Sequence, residues 1–362
     1  MSVKKTGSVW SFRISSGIDF RTGKRKQIYR SGFKTKREAL DEMNKLQTQI
    51  MTGEFSELNK TLFKEYIQSW LDDTYRYEVQ TSSFEVAEII VRVHLIPYFN
   101  SMPLAKITAY DIDHLYTQKL NDGLANATVR KMHNVLSKSL QKAVKWGLMK
   151  KSPVKDASPP TVHKKTKQIW TVEEAKAFLE VCEQENELVP FLLAIFTGMR
   201  RGEVLALRWN NVDLEKGVIH VEESLSRTKT KGLFIKDVKT SHSKREVFIS
   251  ASVMDVLAKY RLKQKNNPLG LVIPSQSGGY LEPRNLLRKY KALIKKAKVS
   301  EIPFHNLRHT HATMLMRMGE NPKVVSERLG HSRVGITLDI YSHTNEEMQR
   351  KTADRFDNQF WK

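Results

Sequence analysis

The spacing of apolar residues divides the chain into segments of different period. At the N-terminus SVWSFRIS and KRKQIYRS alternate apolar and polar positions, and the turn-rich IDFRTGK separates them, which predicts a β-hairpin. The period then becomes helical: Ala39, Met43, Leu46 and Ile50 make one stripe, with Thr35 three residues ahead of Glu38 in capping-box spacing. From Thr61 to Trp146 the pattern stays helical, with helices near 61–73, 81–96, 108–121 and 127–146. Leu62, Tyr66 and Trp70 form one stripe, Val129, Met132, Leu136, Leu140 and Val144 another, and Thr108 and Asp111 are placed to open a helix.

Residues 152–168, SPVKDASPPTVHKKTKQ, hold three prolines, four lysines and no large apolar cluster, a composition that predicts an extended tether. Beyond it, Thr171 and Glu174 form a second capping box and Val172, Ala175, Leu179 and Cys182 a buried stripe. The apolar helix in LVPFLLAIFTGMRRGEVLALRW breaks at Gly198 and restarts through Glu203. Arg200 thereby falls at a helix junction, where backbone amides and a guanidinium converge on an anion. Residues 217–249 switch to period two and predict a small antiparallel sheet whose tip holds Lys239, with Lys229, Lys231, Lys236 and Lys244 competing for that position. Helices near 251–265 and 283–298 follow, the second opened by Pro283. HNLRHTHATMLMRMG fits a helix burying Leu307, Ala312, Leu315 and Met316 and stopping at Gly319; the next starts at Asn321 and Pro322 and ends at Gly330. A last amphipathic helix is predicted over 345–360.

The fold class is therefore multidomain α+β. A small β-sheet-plus-helix module covers 1–55, an all-α domain 60–151 and a linker 152–168; a mostly α domain with a small antiparallel sheet covers 169–345, and a tail helix 346–362.

Charge narrows the function. The chain of 362 residues carries 61 Lys and Arg against 39 Asp and Glu, a formal +22, which favours a polyanionic partner, most often nucleic acid; the plainer alternative is a ribosomal or merely basic protein. Residues 1–37 concentrate the excess, with 11 basic residues against the single Asp19, interleaved with Trp10, Phe12, Phe20, Tyr29 and Phe33. Arg13, Arg21, Lys24, Arg25 and Lys26 there, and Arg130 and Lys131 on the helix 127–146, are the candidate phosphate contacts, a solvated face being the alternative. Cys182 is the only cysteine, so no intrachain disulfide forms. No apolar run reaches the length of a membrane span and no leader is evident, so a cytosolic location and no membrane partner are expected.

Chemistry gathers late in the chain. His305 and Arg308 lie three residues apart, His331 follows Gly330, and Tyr341 comes ten residues later: fixed cation, imidazoles and a phenol, a set suited to phosphate chemistry. His305 and His309 also have the i, i+4 spacing of zinc ligands, but the glutamate of a zinc motif is missing and Arg308 sits between them, which disfavours a metal. Each histidine alone reads as readily as a satisfied structural residue. No carboxylate cluster suits Mg²⁺, and no cofactor is expected.

TGMRRGE, the lysine of KTSHSKR, HNLRH, LGH and the late tyrosine together resemble the boxes of the tyrosine recombinase (phage integrase) family. The resemblance covers about 168–345, and the two preceding segments are similar to the arm-binding and core-binding domains of three-domain integrases. It implies Tyr341 as nucleophile, Arg200 and Arg308 as phosphate clamp, Lys239 as general acid, His305 as aid to proton transfer, His331 as phosphate hydrogen-bond donor and Glu203 as support. It also implies double-stranded attachment-site DNA as substrate, a homotetramer on that DNA, and a host DNA-bending protein and an excision directionality factor as further partners. The alternatives are a type IB topoisomerase-like strand transferase, against which the three-part layout argues, and a catalytically idle DNA-binding regulator, against which the intact reactive set argues.

Overall fold

The computed structural model describes residues 3–18, 25–51, 61–162, 168–237, 244–340 and 346–361, which fall into two compact units, Met1–His163 and Lys164–Lys362. Among the described residues no helix is long and apolar enough to cross a membrane.

The first unit contains two separate cores. Strands β1 (Val3–Thr6), β2 (Val9–Ile18) and β3 (Arg25–Phe33) pair antiparallel in that order and pack on helix α1 (Lys36–Met51). Phe12, Ile14 and Ile28 meet Ala39, Met43 and Leu46, so the hairpin and the stripe bury each other. Thr35 and Glu38 exchange main-chain to side-chain hydrogen bonds of 3.2 Å, closing the capping box that starts α1. Alternation leaves Lys4, Ser11 and Arg13 on the opposite face, where Arg13 pairs across the strands with Tyr29 and sits 5.3 Å from its ring centroid.

The second core belongs to helices α2 (Phe63–Trp70), α3 (Thr81–Ile90), α4 (Ala109–Asn121) and α5 (Asn126–Lys145). α2 and α3 each run on into a π-helical turn, Leu71–Tyr75 and Val91–Leu95. The 152–168 stretch departs from the extended tether that its composition predicts. Pro153–Lys155 forms a 3₁₀ turn, Val154 and Ala157 enter the helical core, and Asp113 accepts a 2.7 Å bond from the Ser158 amide. Val154 and Ala157, with this bond and one of 2.9 Å from Asn126 Nδ2 to the Thr161 carbonyl, hold the segment against the helices; residues 163–167 lie outside the described set.

The second unit is built on Trp170, Phe178, Phe191, Tyr290 and Phe304, whose rings meet at 4.8–6.2 Å. They come from the segment before α6 (Val172–Gln184), from α6 itself, α7 (Leu188–Thr197), a later helix Pro283–Ala297, and the approach to His305. Val172, predicted to be buried, is exposed as the first residue of α6, and Phe178 takes the core position. Helix α8 (Arg201–Ala206) leads into two small sheets where the sequence predicts one. β4 (Val212–Asp213), β5 (Val218–Val221) and β8 (Arg245–Phe248) form the first; β6 (Glu223–Thr228) and β7 (Gly232–Asp237) form a separate hairpin. The turn of that hairpin is residues 229–231, and Lys239, placed by the sequence at the sheet's tip, lies outside the described residues. Helices α9 (Ala251–Lys263), α10 (Pro283–Ala297), α11 (His305–Arg317), α12 (Pro322–Leu329), α13 (Val334–Ile340) and α14 (Glu346–Trp361) complete the unit.

Candidate active site

The C-terminus of α12 organises the site. Asn321 caps the helix through the Lys323 amide at 2.8 Å, Pro322 occupies its first turn, and Gly330 ends it in the left-handed region at φ 66°. The Gly330 amide bonds to the Glu327 carbonyl at 2.9 Å and the His331 amide to the Ser326 carbonyl at 3.0 Å, the paired bonds of a Schellman cap. Three further carbonyls remain without a helical partner, and each takes a guanidinium. Arg245 Nε donates to Arg328 O at 2.8 Å, Arg308 Nη2 to Leu329 O at 2.5 Å, and Arg200 Nη2 to Gly330 O at 3.3 Å. One helix end thus aligns arginines from β8, α11 and the α7–α8 junction.

Glu203 joins two of them from the other side. Its Oε1 accepts from Arg200 Nη1 and its Oε2 from Arg245 Nη2, both at 2.7 Å. Burial, at 1% exposure, would raise its pKa, but Arg245 and then Arg200 outweigh that and hold the carboxyl below the usual range. Oε2 also accepts from the Arg200 amide at 2.9 Å. That amide, predicted to face an anion, is therefore already taken, and the free anion-binding capacity lies in the guanidiniums. Arg308 is 2% exposed, and Nη1 donates to Gly198 O at 2.8 Å. Burial and the neighbouring Arg200 push its pKa down to about 9, so it stays cationic at neutral pH. Among the described residues this group sets three arginines against one carboxylate.

Gly198 allows the approach. Its φ of 65° ends α7, and a Cβ built on it would lie 2.5 Å from Leu329 Cδ2 and 2.8 Å from His311 Cδ2. Behind it, buried His311 accepts from Arg328 Nε at 3.1 Å, while Arg328 also donates to the carbonyls of Phe248 and Phe196. Burial, reinforced by Arg328, lowers the His311 pKa to about 3.

His331 follows the cap directly, with Nδ1 2.9 Å from the hydroxyl of buried Thr337 on α13. Burial, then Arg308 and Arg200, lower its pKa to about 3, so the imidazole is neutral. His305 begins α11, exposed, with its ring against that of His309 at 4.8 Å in an edge-on arrangement. Arg200, Arg308, His331 and Glu203 thus come together; Lys239 and Tyr341 lie outside the described residues, Tyr341 immediately after α13. No group of three His, Cys, Asp or Glu side chains suited to a metal occurs among the described residues.

Arg245 was not singled out by sequence reasoning. Its signal was weak: a basic residue alternating with apolar ones in REVFIS reads as the polar face of a strand. Of the phosphate-contact candidates, Arg13, Arg130 and Lys131 are exposed; Arg21 and Lys24 lie outside the described residues, and Arg25 and Lys26 begin β3. On α5, Lys142 is held by Glu78 at 3.0 Å and Lys138 lies over the Tyr75 ring.

Comparison with known proteins matches each part. Residues 1–50 match an arm DNA-binding domain and residues 62–120 a phage integrase N-terminal SAM-like domain. Over 99% of its length the chain is 28% identical to the ICEBs1 integrase of Bacillus subtilis, all of which is covered. In fold it is similar to the Tn1549 transposon integrase bound to transposon right-end DNA, with a TM-score of 0.72 and 20% identity over 82% of this chain and 99% of that one. It is also similar to lambda integrase in a tetramer bound to a Holliday junction, with a TM-score of 0.60 and 16% identity over 91% and 95% of the two chains. Residues 168–348, the half of the chain that holds the arginine cluster, match the phage integrase family, and the chain belongs to that family as a tyrosine-type site-specific recombinase.

Proposed function

We propose that this recombinase integrates and excises a mobile element by breaking and rejoining DNA at the Arg200–Arg308 cluster, with Tyr341 as nucleophile. The observation that carries this reading is the excess of cation: three buried or half-buried guanidiniums grouped with one carboxylate form a site with a standing demand for an anion. A phosphodiester meets that demand, and Arg200 and Arg308 bind its non-bridging oxygens.

The Tyr341 oxygen attacks phosphorus while the bond to the 5′-oxygen breaks, leaving a 3′-phosphotyrosyl link and a free 5′-hydroxyl. A phenol, with an ordinary pKa near 10, gains phenolate character from the surrounding guanidiniums, and His305 assists the transfer of its proton. Lys239 protonates the leaving oxygen. His331 stays neutral and, with Nδ1 held at the Thr337 hydroxyl, offers its other ring nitrogen to the phosphate. Attack by a 5′-hydroxyl from another strand reverses the sequence. One phosphoester bond replaces another at each step, so no nucleotide is consumed.

The open face of the β1–β3 sheet, with Lys4, Arg13 and Tyr29, fits arm-type duplex sites, and α5 offers Arg130 and Lys131 to core-site phosphates. The likeness to a tetrameric lambda complex supports assembly as a homotetramer on DNA. The exposed Phe356, Phe360 and Trp361 of α14 are the surface we assign to a neighbouring protomer. A host DNA-bending protein and a directionality factor complete the proposed complex.

The test is incubation of the full chain with a pool of nicked duplexes tiling the DNA that flanks its coding sequence, followed by denaturing electrophoresis and sequencing of the joined strand. Wild type should yield one covalent adduct, and Tyr341→Phe none. An adduct undiminished in Tyr341→Phe, or its absence from wild type, would refute the assignment.

A further inference from the structure

Arg245 adds to the positive charge of the site but is given no contact with phosphate above, and it is the most completely enclosed contact of Glu203, with its side chain 5% exposed. It bonds in two directions at once: Nη2 to Glu203 Oε2 at 2.7 Å and Nε to Arg328 O at 2.8 Å. Glu203 in turn grips Arg200 through both the side chain and the amide. The Arg328 carbonyl lies two residues before Gly330, whose own carbonyl takes the second Arg200 nitrogen, and three before His331. Arg245 therefore ties the carboxylate that aims Arg200 to the helix end that aims Arg200 and His331. Unlike Arg308, whose two bonds go to backbone carbonyls, Arg245 places one of its bonds on the carboxylate that holds Arg200. Its guanidinium is far less exposed than that of Arg200, whose side chain is 39% exposed.

We propose that Arg245 is a positioning residue for strand cleavage, fixing the Glu203 carboxylate against the C-terminal carbonyls of α12 so that Arg200 and His331 face one phosphate. The inference rests on the reading of the site given above. It differs from a general stabilising role because its effect should travel through Glu203 and fall on the cleavage step, with ground-state DNA binding left to the surface contacts of the chain.

The experiment uses the full-length chain and the duplex recovered in the adduct assay. Single-turnover cleavage is measured at saturating protein, Kd separately by titration, and thermal unfolding for each variant. Arg245→Gln should slow cleavage by roughly 10²-fold, the scale of a mispositioned reacting group, with Kd changed by less than about threefold. Arg245→Lys, whose ammonium reaches Glu203 or the Arg328 carbonyl but lacks the fork that spans both, should recover part of the rate. In a double-mutant cycle, Arg245→Gln combined with Glu203→Gln should be no slower than the slower single variant. Cleavage at the wild-type rate by folded Arg245→Gln overturns the proposal. So does a multiplicative double variant, or equal loss of rate, binding and stability in both Arg245 substitutions. If Arg245→Gln does not fold, Arg245→Lys carries the same rate and binding comparison. An adduct from wild type with unaffected Arg245 variants refutes this inference alone, whereas no adduct from wild type refutes the site assignment beneath it.

Discussion

Gly198→Ala should damage the recombinase out of proportion to one methyl group. Two costs add there. The backbone at φ 65° is left-handed, which for an L side chain costs about 1–2 kcal/mol. The new Cβ would also lie 2.5 Å from Leu329 Cδ2 and 2.8 Å from His311 Cδ2, well inside van der Waals contact, and such overpacking costs about 1–3 kcal/mol. Neither neighbour yields easily: Leu329 is fully buried and His311 is held by Arg328. The sum is about 2–5 kcal/mol, and in a unit of this size each kcal/mol lowers Tm by about 2–4 °C. Gly232 supplies the control, since at φ 64° nothing lies within 4 Å of its Cβ and only the first cost applies. Differential scanning calorimetry of both variants should therefore show Gly198→Ala unfolding well below Gly232→Ala. Cleavage should suffer in parallel, because the Gly198 carbonyl holds Arg308 Nη1 at 2.8 Å and Leu329 holds Nη2. Equal Tm shifts for the two variants would show that the close packing of Gly198 against α12 does not exist in solution.

Three further outcomes follow from the same contacts. Glu203 is held below the usual carboxylate range, so it contributes stability that is complete above its unfolded pKa of about 4.3 and is lost as pH falls through the lower folded value. Glu203→Gln should cost about 3 kcal/mol or more at pH 7 and flatten the acid limb of a stability-against-pH curve; an unchanged limb would contradict the pairing. His311 has a folded pKa of about 3 against about 6.5 unfolded, so below pH 6.5 the unfolded chain takes a proton that the native one refuses, and stability falls by up to about 1.4 kcal/mol per pH unit. His311→Gln, which keeps an acceptor for Arg328, should remove that slope in urea titrations between pH 6 and 4, chosen as about the middle of the window. Arg13→Ala should lower the slope of log K against log salt for arm-site duplexes by about 1, while cleavage of a short core duplex is unaffected; an unchanged slope would remove Arg13 from the phosphate contacts.

Features governed by local rules were legible in the sequence. Thr35 with Glu38, Thr108 with Asp111 and Thr171 with Glu174 each formed the reciprocal cap that its spacing predicts. Gly198, Gly319 and Gly330 each carry the positive φ expected of a helix stop. What was illegible depends on partners that leave no mark on the sequence. Arg245 bonds to a carboxylate 42 residues away and to a carbonyl 83 residues away, and a carbonyl belongs to every residue alike. The division of 217–249 into two sheets was hidden for a similar reason. Strand-forming residues run from Val218 through Thr228 without a turn signal, and only pairing reveals that β5 joins β4 and β8 while β6 turns to β7. Residues 152–162 misled because prolines and lysines set the average composition, while Val154 and Ala157 supplied the contacts.

Holding three guanidiniums together before any phosphate arrives is costly, and the way the cost is met bears on catalysis. Glu203 contributes one negative charge, and the carbonyl end of α12 contributes roughly half of one. These offset only part of the three positive charges, so the cluster attracts anions but does not depend on one for its geometry. A phosphodiester brings one negative charge; the pentacoordinate species formed when a phenolate adds brings two. If the cluster holds the reacting phosphate as proposed, attraction to it grows by about a factor of two between ground state and transition state, and the gain appears as rate. It is realised in full only if the cations need not move as the charge develops. Carbonyls at Arg328, Leu329 and Gly330 provide that fixity through the fold, and a helix terminated one residue earlier or later would present a different set to the same arginines.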